Sequence, residues 1–148
     1  MIDPTINYLA ILLAAIIPNA FGALYYGPIF GNTWRSSLGK TAEELEPNNP
    51  AITYGGSLVL SFILAFFLNI VIQFVHKDVN PAGELYMASH NTFGHGALHG
   101  AMIGLTFITP VILSLGMFHK AHWKTNLLNV GFWVLCLAVM GGILDVWR

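Results

Sequence analysis

Residues 90 to 104, "HNTFGHGALHGAMIG", carry three histidines at the head of a stretch that otherwise reads as an apolar helix. His95 and His99 lie four residues apart. On a helix they share one face, the spacing by which two imidazoles reach one metal ion. Neutral imidazole suits zinc, a tetrahedral ion that takes three or four protein ligands. His90 and Glu84 lie just upstream and are the candidates to complete the set by folding back. Coordination competes with protonation, so affinity should fall as the medium is acidified through about pH 6.5. Two other roles fit the same residues: proton passage, and residence at a wet membrane interface with no ion. The spans defined below hold no further histidine; a di-iron site needs more His and carboxylates than the chain has, and a bis-His haem would require an axial partner from another copy of the chain.

The elements that must position these residues are membrane helices. The chain has 148 residues, 55% apolar and only 9% charged, with a mean hydropathy of +0.66. Apolar runs of this length do not belong to a soluble domain of this size. Crossing the hydrocarbon core takes about 20 mainly apolar helical residues. Four segments qualify, at about 6–27, 52–75, 93–118 and 127–147. The expected fold is all-α: a single four-helix transmembrane domain over residues 1–148, with short interfacial helices in loops one and two. The longest connection, about 28–51, is too short to bury a core of its own, so no soluble catalytic domain and no enzymatic activity are expected. A nucleic-acid partner is not expected either. The first span offers small residues in "NAFGA" but is preceded by Asp3 and no Lys or Arg, so it should be retained rather than cleaved as a signal. Cys136, the one cysteine, falls inside the fourth span and reads as a small buried hydrophobe.

Basic residues in short loops set topology. Loops one and three hold Arg35, Lys40, Lys120 and Lys124, against Lys77 and Arg148 on the other side. This bias places loops one and three in the cytoplasm and both termini outside. Trp34 and Trp123 each precede a basic residue, as aromatic anchors at one membrane face do. His119 and His122 fall at that same face, beside Lys120 and Lys124, and are expected to meet lipid head groups. In loop one, "KTAEELEP" supplies Thr41 as a helix cap with Glu44 three residues on. In loop two, "NPAGELYM" reads as another short helix with Asn80 as cap and Pro81 at its first position. A bend near Ser89 to Thr92 should separate it from the third span.

Lipid gives no hydrophobic reward for helix association, so packing relies on small residues and on polar side chains that bond across helices. Gly96, Gly100 and Gly104 form two overlapping GxxxG motifs in the third span, which call for a close backbone crossing with this chain or with a second copy. Ala138 and Gly142 offer a matching face in the fourth span, where Asp145 lies one turn from the chain end. In the second span Ser57, Ser61, Ala65, Asn69 and Gln73 form one stripe at four-residue spacing. In the first, Pro18 should kink the helix and free a carbonyl that the neighbouring Asn19 could satisfy. No Asp, Glu, Lys or Arg lies within the first three spans, which argues against pumps and antiporters.

The segments "NYLAILLAAIIPNAFGALYYGPIFGNTWRSSLGKTAEEL" and "WKTNLLNVGFWVLCLAVMGGILDVW" resemble the bacterial four-helix membrane proteins known as domain of unknown function 1761. The resemblance implies a multi-pass protein of the bacterial inner membrane and supplies no reaction and no catalytic residues. The expected function is a non-enzymatic accessory or assembly subunit, in contact with membrane lipid, that packs through its small-residue faces as a homo-oligomer or onto a larger complex. The alternative is a small homo-oligomeric channel or transporter with a path along Asn19, Ser57, Ser61, Asn69 and Gln73. No cofactor is expected unless the histidines hold zinc.

Overall fold

The computed structural model describes residues 6–87 and 91–147. Four helices in it are long and apolar enough to cross a membrane: Tyr8–Ile29, Pro50–Val75, Phe93–Phe118 and Trp123–Val146. They form the all-α bundle expected from the hydropathy.

Helix α1 (Tyr8–Leu24) begins where the Asn7 side chain accepts a hydrogen bond from the Ala10 N–H. It keeps its helical pattern through Pro18, where a kink was expected, and departs only in a π turn over Tyr25–Ile29. There Gly27 adopts φ −97° and ψ −106°. It immediately precedes Pro28, whose ring pushes the preceding residue out of the helical region. Asn19 does not take up a freed carbonyl; its Nδ2 is buried without a hydrogen-bond partner.

Loop one contains a helix the sequence reading did not anticipate, α2 (Gly31–Leu38), which ends on Gly39 in the left-handed conformation. The Thr41 and Glu44 capping box forms as expected, around a single 3₁₀ turn at Glu43–Leu45. Helix α3 (Pro50–Val75) opens with Asn49 accepting from Ile52 and with Pro50 at its first position.

Loop two is a β-hairpin rather than the expected helix. Strands β1 (Lys77–Val79) and β2 (Leu85–Met87) pair antiparallel. Asn80 accepts through Oδ1 from the Ala82 and Glu84 N–H groups, and Gly83 takes φ +82°. Asn-Pro-x-Gly is as good a turn sequence as a helix start, and the left-handed glycine decides in favour of the turn.

Helix α4 (Phe93–Ile103) starts from Thr92, whose hydroxyl accepts from the His95 N–H. A π turn (Gly104–Ile108) joins it to α5 (Thr109–Phe118). Pro110 cannot donate a backbone bond, and the Thr109 hydroxyl donates instead to the Gly104 carbonyl at 3.0 Å. Helix α6 (Trp123–Val146) follows a four-residue connection over 119–122.

Ile11, Ile72, Leu137, Met140 and Leu144 are fully buried and form the core where α1, α3 and α6 meet. At the end of the bundle that holds the start of α1 and the end of α6, Asn7 donates to the Trp147 carbonyl. At the opposite end Tyr26 donates to Asn129 and Thr125 donates to Ser37.

The glycine motifs act inside the chain. A Cβ added at Gly100 would overlap the Leu137 carbonyl oxygen, and one at Gly104 would lie 3.0 Å from the Val134 Cα. On α6 the matching small residue is Gly141 rather than Gly142. A Cβ on Gly141 would meet the Gly96 carbonyl, whereas Gly142 makes room for the Phe93 ring. Ala138 is half-buried beside Gly100. With no side chain between them, α4 and α6 pack backbone to backbone, which maximises dispersion contact in a solvent that supplies no hydrophobic force.

Candidate metal centre

Because the bundle runs up and down, the end of α3, the start of α4 and the end of α6 meet at one face. Each brings a polar side chain there. His76 caps α3, His95 and His99 lie on the first turns of α4, and Asp145 lies on the last turn of α6.

The three imidazoles gather so that one potential ligand atom from each lies within 4.8 Å of the other two. Their rings stand edge to face in every pairing, with centroids 4.8 Å apart for His76 and His95, 5.1 Å for His76 and His99, and 4.6 Å for His95 and His99. His76 is fixed by its own helix: Nδ1 lies 2.6 Å from the Ile72 carbonyl oxygen. A carbonyl only accepts, so Nδ1 carries the proton and Nε2 turns a lone pair into the cluster. Anchoring the far nitrogen of an imidazole on a carbonyl is the usual orientation of a metal-binding histidine. In the ion-free pattern His95 Nδ1 donates to that Nε2 across 2.8 Å. His99 Nε2 is buried and has no hydrogen-bond partner.

Asp145 closes the arrangement from α6. Its Oδ1 lies 3.7 Å from His76 Nε2 and its Oδ2 lies 3.5 Å from His95 Nδ1. The carboxylate is fully buried and the His76 ring nearly so, while the His95 side chain keeps 35% of its surface exposed. Burying a carboxylate costs several kcal/mol unless a cation faces it. A divalent ion or a protonated imidazole supplies that charge.

The glycine stripe makes this meeting possible. A Cβ on Gly96 would collide with the Asp145 Cβ and the Gly141 carbonyl. Gly96 therefore lets Asp145 come alongside the helix that carries His95 and His99. The close crossing of α4 and α6 thereby delivers the carboxylate to the histidines.

Of the ligands expected from sequence, His95 and His99 are together as their spacing required. Glu84 is not with them. It is exposed and closes the hairpin turn, its carboxylate accepting from Asn80 Nδ2 at 3.0 Å. His90 lies outside the described residues. His76 and Asp145 were missed. His76 stands one residue beyond the second span, and Asp145 lies one turn from the chain end, so neither falls inside an apolar stretch with the other two. The readable signal was topological: in a four-span bundle the ends of spans two and four share a face with the start of span three.

Most of the expected polar path packs inside the subunit. Ser61, Ala65, Asn69 and Gln73 are buried inside the subunit, where Gln73 donates to Asn69 at 3.4 Å. Ser57, with Thr53 and Ser61, borders a cleft of about 410 Å³ against Trp133. Small and polar groups on α3 pack against α1 and α6 inside the subunit.

The model of a family described as "Protein of unknown function (DUF1761)" matches residues 9–145, nearly the whole chain. The chain belongs to this family. The match takes in all four ligand candidates of this DUF1761 protein, His76, His95, His99 and Asp145, and the glycine stripe beside them. No curated protein and no solved structure matches the chain.

Proposed function

We propose that this DUF1761 protein is a non-enzymatic membrane protein that binds one divalent transition-metal ion, zinc being the best fit, in the histidine cluster at the face of the termini. The observation that carries the reading is the convergence of three imidazoles from two helices, with the His76 lone pair preset by Ile72 and the buried His99 Nε2 lacking a partner. Imidazole is a ligand for zinc and its first-row neighbours and a poor one for magnesium or calcium. The ion would tie the ends of α3 and α4 together, as a structural or sensing element of an accessory subunit in the bacterial inner membrane. Charge bias supports a topology with loops one and three cytoplasmic and the cluster outside.

Elemental analysis of protein purified without an affinity metal, then dialysed against limiting zinc, tests this. About one zinc per chain is expected for the wild type and a large loss for His76→Ala and His99→Ala. Equal, substoichiometric zinc in all three preparations would dismiss it.

A second reading, assembly with a further copy or a larger membrane complex, is favoured by one observation. The first half of α3 has almost no packed neighbours: Ile52, Tyr54, Val59 and Leu60 are each at least 60% exposed, and Cβ atoms added to Gly55 and Gly56 would meet nothing.

A further inference from the structure

We infer that Asp145 is the fourth ligand of the ion, which closes an N₃O tetrahedron drawn from three helices and makes the site a holding site rather than an open, catalytic one. This rests on the reading that the histidine cluster binds a divalent ion. The distances carry the inference. A tetrahedral ion with bonds of 2.0–2.1 Å needs ligand atoms about 3.3–3.4 Å apart. Asp145 Oδ2 to His95 Nδ1 is 3.5 Å and Asp145 Oδ1 to His76 Nε2 is 3.7 Å, while the two imidazole nitrogens, now sharing a hydrogen bond, are 2.8 Å apart. Each of these two nitrogens thus faces its own oxygen of the carboxylate at close to ligand spacing, and ligation would need one of those oxygens to turn toward both as His76 and His95 part.

Charge and packing agree with this geometry. Three neutral imidazoles would leave a full double charge beside the apolar core of Ile72 and Leu144, and a carboxylate halves it. The Asp145 Cβ packs directly against Gly96, which brings the carboxylate alongside the helix that carries His95 and His99. Its full burial also leaves no adjoining opening on its side where a water-derived nucleophile could be replaced by substrate; the exposed edge of the cluster is that of His95.

Cobalt(II), a spectroscopic stand-in for zinc, distinguishes the roles. Titration of wild-type protein in nanodiscs with cobalt(II) chloride should saturate at one ion per chain and give the intense visible bands of a four-coordinate centre. Asp145→Asn should bind more than about 100-fold more weakly, beyond the 10–100-fold loss typical of removing an outer-sphere partner, and the residual spectrum should lose intensity as water raises the coordination number. Weak bands of a five- or six-coordinate centre in the wild type would overturn the inference without requiring any variant to fold. So would an Asp145→Asn spectrum identical to wild type, while stoichiometric binding in either case keeps the metal reading intact. Absence of any cobalt or zinc binding by the folded wild type would instead remove both.

Discussion

At the scale of residues, the contact between Gly96 and Asp145 joins packing to chemistry. Gly96→Ala alters no ligand, yet its methyl group meets the Asp145 Cβ and the Gly141 carbonyl, both fixed by the helix. The expected cost is about 1–3 kcal/mol of stability from overpacking. A zinc competition titration should also show at least tenfold weaker binding. Gly94 is the control on the same helix, since a Cβ there meets nothing. Gly94→Ala should leave zinc affinity unchanged and raise the thermal midpoint slightly, through about 0.5–1 kcal/mol of helix propensity. The sequence revealed half of this site. The four-residue spacing of His95 and His99 fixes a shared face on any helix, whereas His76 and Asp145 join them only through tertiary contact, which no local spacing encodes.

At the scale of elements, the hairpin of β1 and β2 shows where local reading misled. Asn80 and Pro81 suit a helix start and a turn equally. Gly83, at φ +82°, favours the turn and draws Glu84 into it, away from the histidines. Gly83→Ala should cost about 1–2 kcal/mol locally, because a side chain in the left-handed region meets the following carbonyl. Hydrogen exchange should accelerate at the hairpin amides while zinc stoichiometry stays at one per chain. Loss of zinc in this variant would show that loop two contributes to the site. The long helices were legible because a span needs only length and apolarity. The π turns around Pro28 and before Pro110 were not, since they depend on which nearby groups take over the backbone bonds.

At the scale of the whole molecule, sequence told that a close helix crossing exists but not with which helix. The glycine face is filled by α6 of the same chain, so it cannot also hold two copies together. The exposed first half of α3 is the face proposed for assembly. Val59→Cys should then form disulfide-linked dimers in native membranes under mild oxidation, and Leu98→Cys, on the outer face of α4, should not. Equal cross-linking at both positions would indicate random collision. Cys136 is buried and does not interfere. The exposed apolar side chains elsewhere on the bundle are those a bilayer covers. The central claim, that the bundle brings three imidazoles and one carboxylate onto a single ion, is tested most directly by X-ray absorption at the zinc edge of the wild-type protein in lipid. Four nitrogen or oxygen neighbours at about 2.0–2.1 Å, with the outer-shell scattering of three imidazole rings, is the expected result. A shell of six oxygens with no imidazole scattering would contradict it.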